Sequence, residues 1–166
     1  MHVQVLMFKQ DDPKKCTAAK LVKFNLAIPV KRTTNRTIIL DPFAKQTLLK
    51  HDAKLANSIT GIDCSWNLAD STFSKKFVGI ARKLPPLLAG NPVNYAKIGK
   101  LTTVEAIAGA VHILGFHDLG IQLLAKFNWG HTFYELNENL LNDYAKIELE
   151  EQIGPLLAEY GIKDVD

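Results

Sequence analysis

Apolar and polar positions follow a two-residue rhythm first, a mixed one next, and a helical one in the last third of the chain. Val3, Val5 and Met7 alternate with Gln4 and Leu6, which predicts a strand over 3–8 ending before the turn residues Asp11-Asp12-Pro13. From Thr17, Leu21, Phe24 and Ile28 recur at helical spacing until Pro29 intervenes, so Thr17 is expected to cap a helix over 18–26. Thr37-Ile38-Ile39-Leu40 reads as a buried strand stopped by Asp41-Pro42, and helical spacing returns from Ala44 to Leu55. Ser58 to Asp63 reads as a further strand, followed by a helix-competent stretch from Asn67 to Val78. Leu84-Pro85-Pro86-Leu87-Leu88-Ala89 is best read as a buried strand weakened by its prolines, closed by Gly90-Asn91-Pro92 and a structured loop to Gly99.

After Gly99 only helices are expected. Thr102 and Glu105 stand at capping-box spacing, and Val104, Ile107, Ala108, Val111 and Leu114 mark one apolar face up to Gly115. Further helices are predicted from Leu119 to Phe127, from Phe133 to Leu149 and from Pro155 to Tyr160. Strands alternating with helices, then helices alone, predict an α/β fold with a mostly parallel sheet and a helical C-terminal part. Ligands of such sheets bind beyond the carboxyl ends of the strands. That directs attention to Cys16-Thr17, Leu40-Asp41-Pro42, the run from Ile62 to Trp66, and the loop from Leu88 to Thr103.

The 166 residues suit one domain or two small lobes sharing a core, and 47% hydrophobic with 22% charged residues excludes a disordered tail or a fibre. Two cysteines, Cys16 and Cys64, are too few for a disulfide framework and lack zinc spacing, so reduced thiols are expected. The N-terminus lacks the pattern of a secretory signal and no run reaches membrane-spanning length, so a cytoplasmic location without membrane contact is expected. Charge changes the picture more. The net of +3 conceals 17 Lys/Arg against 6 Asp/Glu in residues 1–104, and 3 against 11 in residues 105–166. Ser71 to Val104 carries Lys75, Lys76, Arg82, Lys83, Lys97 and Lys100 and no acidic residue. Uncompensated cations at this density point to a polyanion partner, although a surface balanced by the acidic C-terminal region reads the same charges equally well.

Other chemistry is thin. Gly99-Lys100-Leu101-Thr102 lacks the upstream glycine of a phosphate loop, and no dinucleotide fingerprint is present. His112 and His117 are five apart, so they are not expected to share a helix face as paired metal ligands, and no metal is expected. Cys16 and Cys64 have no histidine close in sequence and are read as small buried residues rather than nucleophiles. Asp63-Cys64-Ser65-Trp66 is the unusual element, a carboxylate and a large aromatic at a strand end.

Together with Arg82-Lys83-Leu84-Pro85-Pro86-Leu87-Leu88-Ala89-Gly90-Asn91-Pro92-Val93-Asn94-Tyr95, Leu101-Thr102-Thr103-Val104-Glu105-Ala106, Phe127-Asn128-Trp129-Gly130 and Phe133-Tyr134-Glu135-Leu136-Asn137, that element resembles the small-subunit ribosomal RNA aminocarboxypropyltransferase family. The resemblance covers nearly the whole chain. Gly90 stands where the family more often has alanine. It implies a SPOUT-like fold with a trefoil knot forming the cofactor site, divided as an N-terminal α/β part over 1–60 and a knotted part with a helical C-terminus over 61–166, in one compact unit. It also implies transfer of the 3-amino-3-carboxypropyl group of S-adenosylmethionine to N3 of a modified uridine or pseudouridine during ribosome biogenesis, releasing methylthioadenosine.

The resemblance further implies a site. The Thr17 amide would meet the cofactor carboxylate, the Ile62 carbonyl the ribose, the Leu84 amide and Gly99 carbonyl the adenine edge, and the Thr103 hydroxyl the aminocarboxypropyl tail. Trp66 with Ala69 would pack on the sulfonium methyl, and Leu40 and Pro42 would line the adenine pocket. Asp63 is placed either to accept the N3 proton or to cap its turn. Lys14, Lys15, Lys75, Lys76, Arg82, Lys83, Lys97 and Lys100 would carry phosphates of the rRNA or pre-ribosomal particle. A methyltransferase with the same cofactor and a non-catalytic rRNA-binding assembly factor are the competing readings, and a monomer is expected.

Overall fold

A computed structural model describes residues 1–9 and 12–163, apart from the side chain of Trp66. Five parallel strands form one sheet: β1 (His2–Met7), β2 (Ile28–Pro29), β3 (Thr37–Leu40), β4 (Ser58–Asp63) and β5 (Ile80–Arg82), in the order β2-β1-β4-β3-β5. β4 is central, with Gly61 opposite Val5 of β1 and Leu40 of β3. Its burial from Ser58 to Ile62 follows from being covered on both faces, as parallel strands are. The helices are α1 (Thr17–Lys23), α2 (Ala69–Phe73), α3 (Thr103–Ile113), α4 (His117–Leu124), α5 (Gly130–Tyr144) and α6 (Ile153–Glu159). Among the described residues no helix is long and apolar enough to cross a membrane.

α3 is the core helix. Val104, Ile107, Ala108, Ala110, Val111 and Ile113 are all fully buried. It lies directly against β4 at Gly61, where a Cβ would come within 2.8 Å of Ile107 Cδ1 and 2.9 Å of Thr103 Cγ2. The absent side chain therefore lets the start of α3 approach the carboxyl end of the central strand.

Several expectations are corrected. The first helix is capped by Cys16, whose Sγ accepts from the Ala19 N–H at 3.3 Å, and it stops at Lys23. Thr17 faces inward and its hydroxyl accepts from the Val104 N–H at 3.2 Å, joining the starts of α1 and α3. The expected helix from Ala44 to Leu55 shrinks to a single turn, Lys50–Lys54, because the backbone before it is recruited by Lys83. Lys83 donates to the Gln46 carbonyl at 3.0 Å and accepts from the Leu48 N–H at 2.8 Å. The stretch from Asn67 to Val78 is helical only over Trp66–Leu68 and Ala69–Phe73, and the unforeseen β5 follows Gly79, whose φ of +138° suits glycine. Leu84 to Ala89 is extended and alternately buried at Pro85, Leu87 and Ala89, but forms no ladder, only a Leu88–Ile98 bridge. The boundary expected between residues 60 and 61 falls inside β4, so the two parts share one sheet.

Candidate active site

Beyond the carboxyl ends of β3, β4 and β5 lies a cavity of about 460 Å³, within the roughly 300–1,000 Å³ usual for small-molecule sites. Leu40 and Pro42 reach it from the end of β3, Ile62 and Ala69 from β4 and α2, Leu84 and Gly99 from the loop after β5, and Thr103 from the start of α3. Sequence positions 63 residues apart, Leu40 and Thr103, thus meet in one place, as the parallel sheet requires. Thr17 is not among the lining residues but abuts the site through Val104. The expected packing of Trp66 concerns a side chain outside the described residues.

Asp63 forms a polar corner where the starts of α1 and α3 converge. Its Oδ2 accepts from the Cys16 thiol at 3.1 Å and its Oδ1 from the Thr103 hydroxyl at 3.4 Å. Burial pushes the Cys16 thiol up to about 11; the Ala19 N–H opposes the rise, and the hydrogen bond and negative charge of Asp63 add to it. Cys16 is therefore a neutral donor at physiological pH. On the far side, Asp41 also lines the cavity, and burial raises its carboxyl pKa against the opposing Phe43 N–H.

The loop after β5 is fixed by buried polar side chains whose long-range partners the local sequence does not announce. Glu105, fully buried, accepts on Oε1 from the Gly90 and Asn91 N–H groups and on Oε2 from Asn91 Nδ2, the Thr102 N–H and the Thr102 hydroxyl, at 2.6–3.0 Å. The capping box expected at Thr102 and Glu105 is present, but half of the carboxylate's work is to hold residues 90 and 91. From α5, Asn137 takes up both the N–H and the carbonyl of Leu88 at 2.8 and 2.7 Å, and the Tyr144 hydroxyl donates to the Pro86 carbonyl at 2.7 Å. The one available signal was Glu105 itself, an acidic residue flanking the apolar face of α3. Phe73, Lys83 and Glu150 also line the cavity unforeseen; Glu150 Oε1 accepts from the Thr47 hydroxyl at 2.6 Å.

Of the cations expected to hold phosphates, Lys14, Lys15, Lys76, Lys97 and Lys100 are exposed. Lys75 is exposed too, with its Nζ 5.9 Å from the centroid of the Phe8 ring. Lys83 is half-buried and reaches the cavity. Arg82 must be withdrawn from the set. Its Nε and Nη2 bind Asp52, which is only 1% exposed, at 3.1–3.2 Å, and its Nη1 donates to the Ala81 carbonyl. A guanidinium spent on a buried carboxylate fixes β5 to the Lys50–Lys54 turn rather than meeting RNA. His112 and His117 do come together, across two helices, with rings stacked at 4.0 Å; His112 Nε2 lies 3.0 Å from Asn142 Oδ1.

Comparison with known proteins fits this geometry. Residues 38–161 match the family model described as ribosome biogenesis protein, C-terminal. Residues 1–34 match one described as a possible Fer4-like domain in RNase L inhibitor, although that stretch holds one cysteine, Cys16, where a four-iron cluster takes four. A protein of Methanococcoides burtonii named 16S rRNA aminocarboxypropyltransferase is 41% identical over 96% of this chain and 94% of its own. One of the same name from Thermoplasma volcanium is 45% identical over 90% and 92%. The solved structure of the SAM-dependent rRNA:acp-transferase Tsr3 from Vulcanisaeta distributa superposes with a TM-score of 0.87 at 36% identity, covering 99% of this chain and 91% of that one. On these matches, the chain belongs to the 16S rRNA aminocarboxypropyltransferase family.

Proposed function

We propose that this protein transfers the 3-amino-3-carboxypropyl group of S-adenosylmethionine to N3 of a modified uridine or pseudouridine in small-subunit ribosomal RNA during ribosome biogenesis, releasing methylthioadenosine. The observation that carries the reading is the convergence of Leu40, Ile62, Leu84, Gly99 and Thr103 on one cavity, with Asp63 outside its lining but joined to it through the Thr103 hydroxyl, in a chain whose relatives are named 16S rRNA aminocarboxypropyltransferase. When bound, S-adenosylmethionine supplies a sulfonium whose three attached carbons are all electrophilic, so the product depends on which carbon faces the nucleophile.

The chain's residues make that choice. Leu40 and Pro42 would hold the adenine in an apolar slot, with the Leu84 amide and the Gly99 carbonyl available to its edge and the Ile62 carbonyl to the ribose. The Thr17 amide, among the first-turn N–H groups of α1 that lack an intrahelical acceptor, receives the carboxylate, and the Thr103 hydroxyl meets the tail. Ala69, on the cavity wall, would face the methyl and leave the propyl carbon to the nucleophile; orientation selects the reaction. Asp63 accepts the N3 proton, and the protonated Cys16 thiol fixes the orientation of that carboxylate. Lys14, Lys15, Lys75, Lys76, Lys83, Lys97 and Lys100 hold the RNA phosphates.

A SPOUT-like trefoil knot and a monomer belong to the same reading. The test is incubation with small-subunit rRNA and cofactor labelled separately in the methyl and in the carboxyl group. Carboxyl label is expected in the RNA; label from the methyl alone would overturn the transferase reading.

A further inference from the structure

We propose that Phe43 is a stacking platform for an unpaired nucleobase of the RNA substrate at the mouth of the cavity; the inference rests on the RNA-modifying reading above. Phe43 follows Pro42 at the end of β3, in a turn that fixes its backbone. Asp41 Oδ1 accepts from the Phe43 N–H at 2.8 Å and the Asp41 carbonyl accepts from the Ala44 N–H at 3.1 Å. Phe43 is 56% exposed, although its neighbours Asp41 and Pro42 both line the cavity. It is held from one side by an edge contact with Phe73, 5.9 Å between centroids at 61°, and Phe73 is itself part of the cavity wall. A π-surface thus stands open at the rim with its orientation already set.

What surrounds it identifies the occupant. Phe73 opens onto the stretch that carries Lys75 and Lys76, both exposed, and ends that stretch on a second ring contact, Phe77 against Phe8 at 6.5 Å and 69°. The Phe8 N–H donates to the Asp63 carbonyl at 3.1 Å, so the two ring pairs flank the carboxyl end of β4. Lys45 is exposed two residues beyond Phe43, and Lys83 reaches the cavity. The acids nearby are Asp41, which is occupied by the Phe43 N–H, Asp63, which is occupied by Cys16 and Thr103, Asp70 on α2, and Glu150, which is occupied by Thr47. An exposed ring among cations, at the mouth of a site for a base, is the arrangement by which proteins bind single-stranded nucleic acid, since every base offers a π-face. A duplex would not serve, because its faces are covered by neighbouring pairs.

Two probes of equal length, a single-stranded oligouridylate and the corresponding abasic strand, separate stacking from phosphate attraction by fluorescence anisotropy. The wild-type protein is expected to bind the oligouridylate more tightly. Phe43→Leu keeps an apolar contact to Phe73 and is expected to weaken oligouridylate binding by roughly 5–150-fold, with abasic-strand and S-adenosylmethionine binding unchanged; Phe43→Trp is expected to retain the preference. Undiminished oligouridylate binding by Phe43→Leu, an equal loss on both probes, or no wild-type preference overturns the platform. The carboxyl-label assay separates the two claims: a wild-type enzyme that labels RNA while Phe43 proves indifferent removes the platform alone, whereas absent carboxyl label removes the transferase reading itself.

Discussion

The loop over residues 84–99 and the segment over residues 66–78 both wall the cavity, yet they are fastened by different chemistry. The loop is held by buried polar groups: Glu105 with five donors, Asn137 on both backbone groups of Leu88, and Tyr144 on Pro86. The segment is held by two edge-on ring contacts, Phe73 to Phe43 and Phe77 to Phe8, and by local bonds such as Ser71 Oγ to the Leu68 carbonyl at 2.9 Å. A buried polar network has one satisfied geometry and is costly to disturb. Edge-on ring contacts set an orientation too, but leave no polar group unsatisfied when they shift, so they are less costly to disturb. The first wall suits an invariant small molecule, the second a polymer that arrives in varied shapes.

Breaking the first wall is expected to have the largest effect. Glu105→Ala leaves several buried donors without an acceptor and is expected to cost at least about 3 kcal/mol in denaturant unfolding, with loss of S-adenosylmethionine binding by calorimetry. An unchanged midpoint would show that the loop is held elsewhere. Gly61→Ala forces α3 away from β4 and is expected to destabilise by about 1–3 kcal/mol and to weaken cofactor binding through displacement of Thr103. The second wall should respond differently. Phe77→Leu is expected to cost under about 1.5 kcal/mol and to weaken RNA binding while cofactor affinity is kept; an effect on stability as large as that of Glu105→Ala would erase the contrast. The smallest effect concerns the corner between the walls. Because burial pushes the folded Cys16 thiol from its ordinary 9.0 up to about 11, its contribution to stability is complete below pH 9 and is lost as pH rises towards 11. Cys16→Ser is expected to flatten that part of the stability profile, measured by unfolding across pH 8–11.

Val3, Ile38 and Ile59 sit in strands that composition and alternation announce, and α3 is announced by its cap and apolar face, so the sheet core was readable from the chain. β5 was not, because three residues after a glycine carry no period and acquire strand geometry only by pairing with β3. Leu48 and Leu49 fit a helix in spacing, but the Lys83 backbone claims residues 46–48 first. Leu40, Pro42, Ile62, Ala69, Leu84, Gly99 and Thr103 were reached through resemblance and through the rule for parallel sheets, whereas Phe73 and Glu150 were not. What stayed hidden was pairing at a distance: Asn91 with Glu105, Leu88 with Asn137 and Arg82 with Asp52 are tertiary contacts between segments whose local sequence is silent about each other.

The five donors on Glu105 have a thermodynamic corollary. They are satisfied within the chain, so the conformational entropy of residues 90–102 is surrendered during folding rather than at each encounter with a ligand. Contacts made by an arriving molecule with this wall then appear as affinity, undiminished by an ordering cost. Calorimetry on the cofactor step should accordingly show a heat-capacity change no larger than the apolar area of the ligand explains.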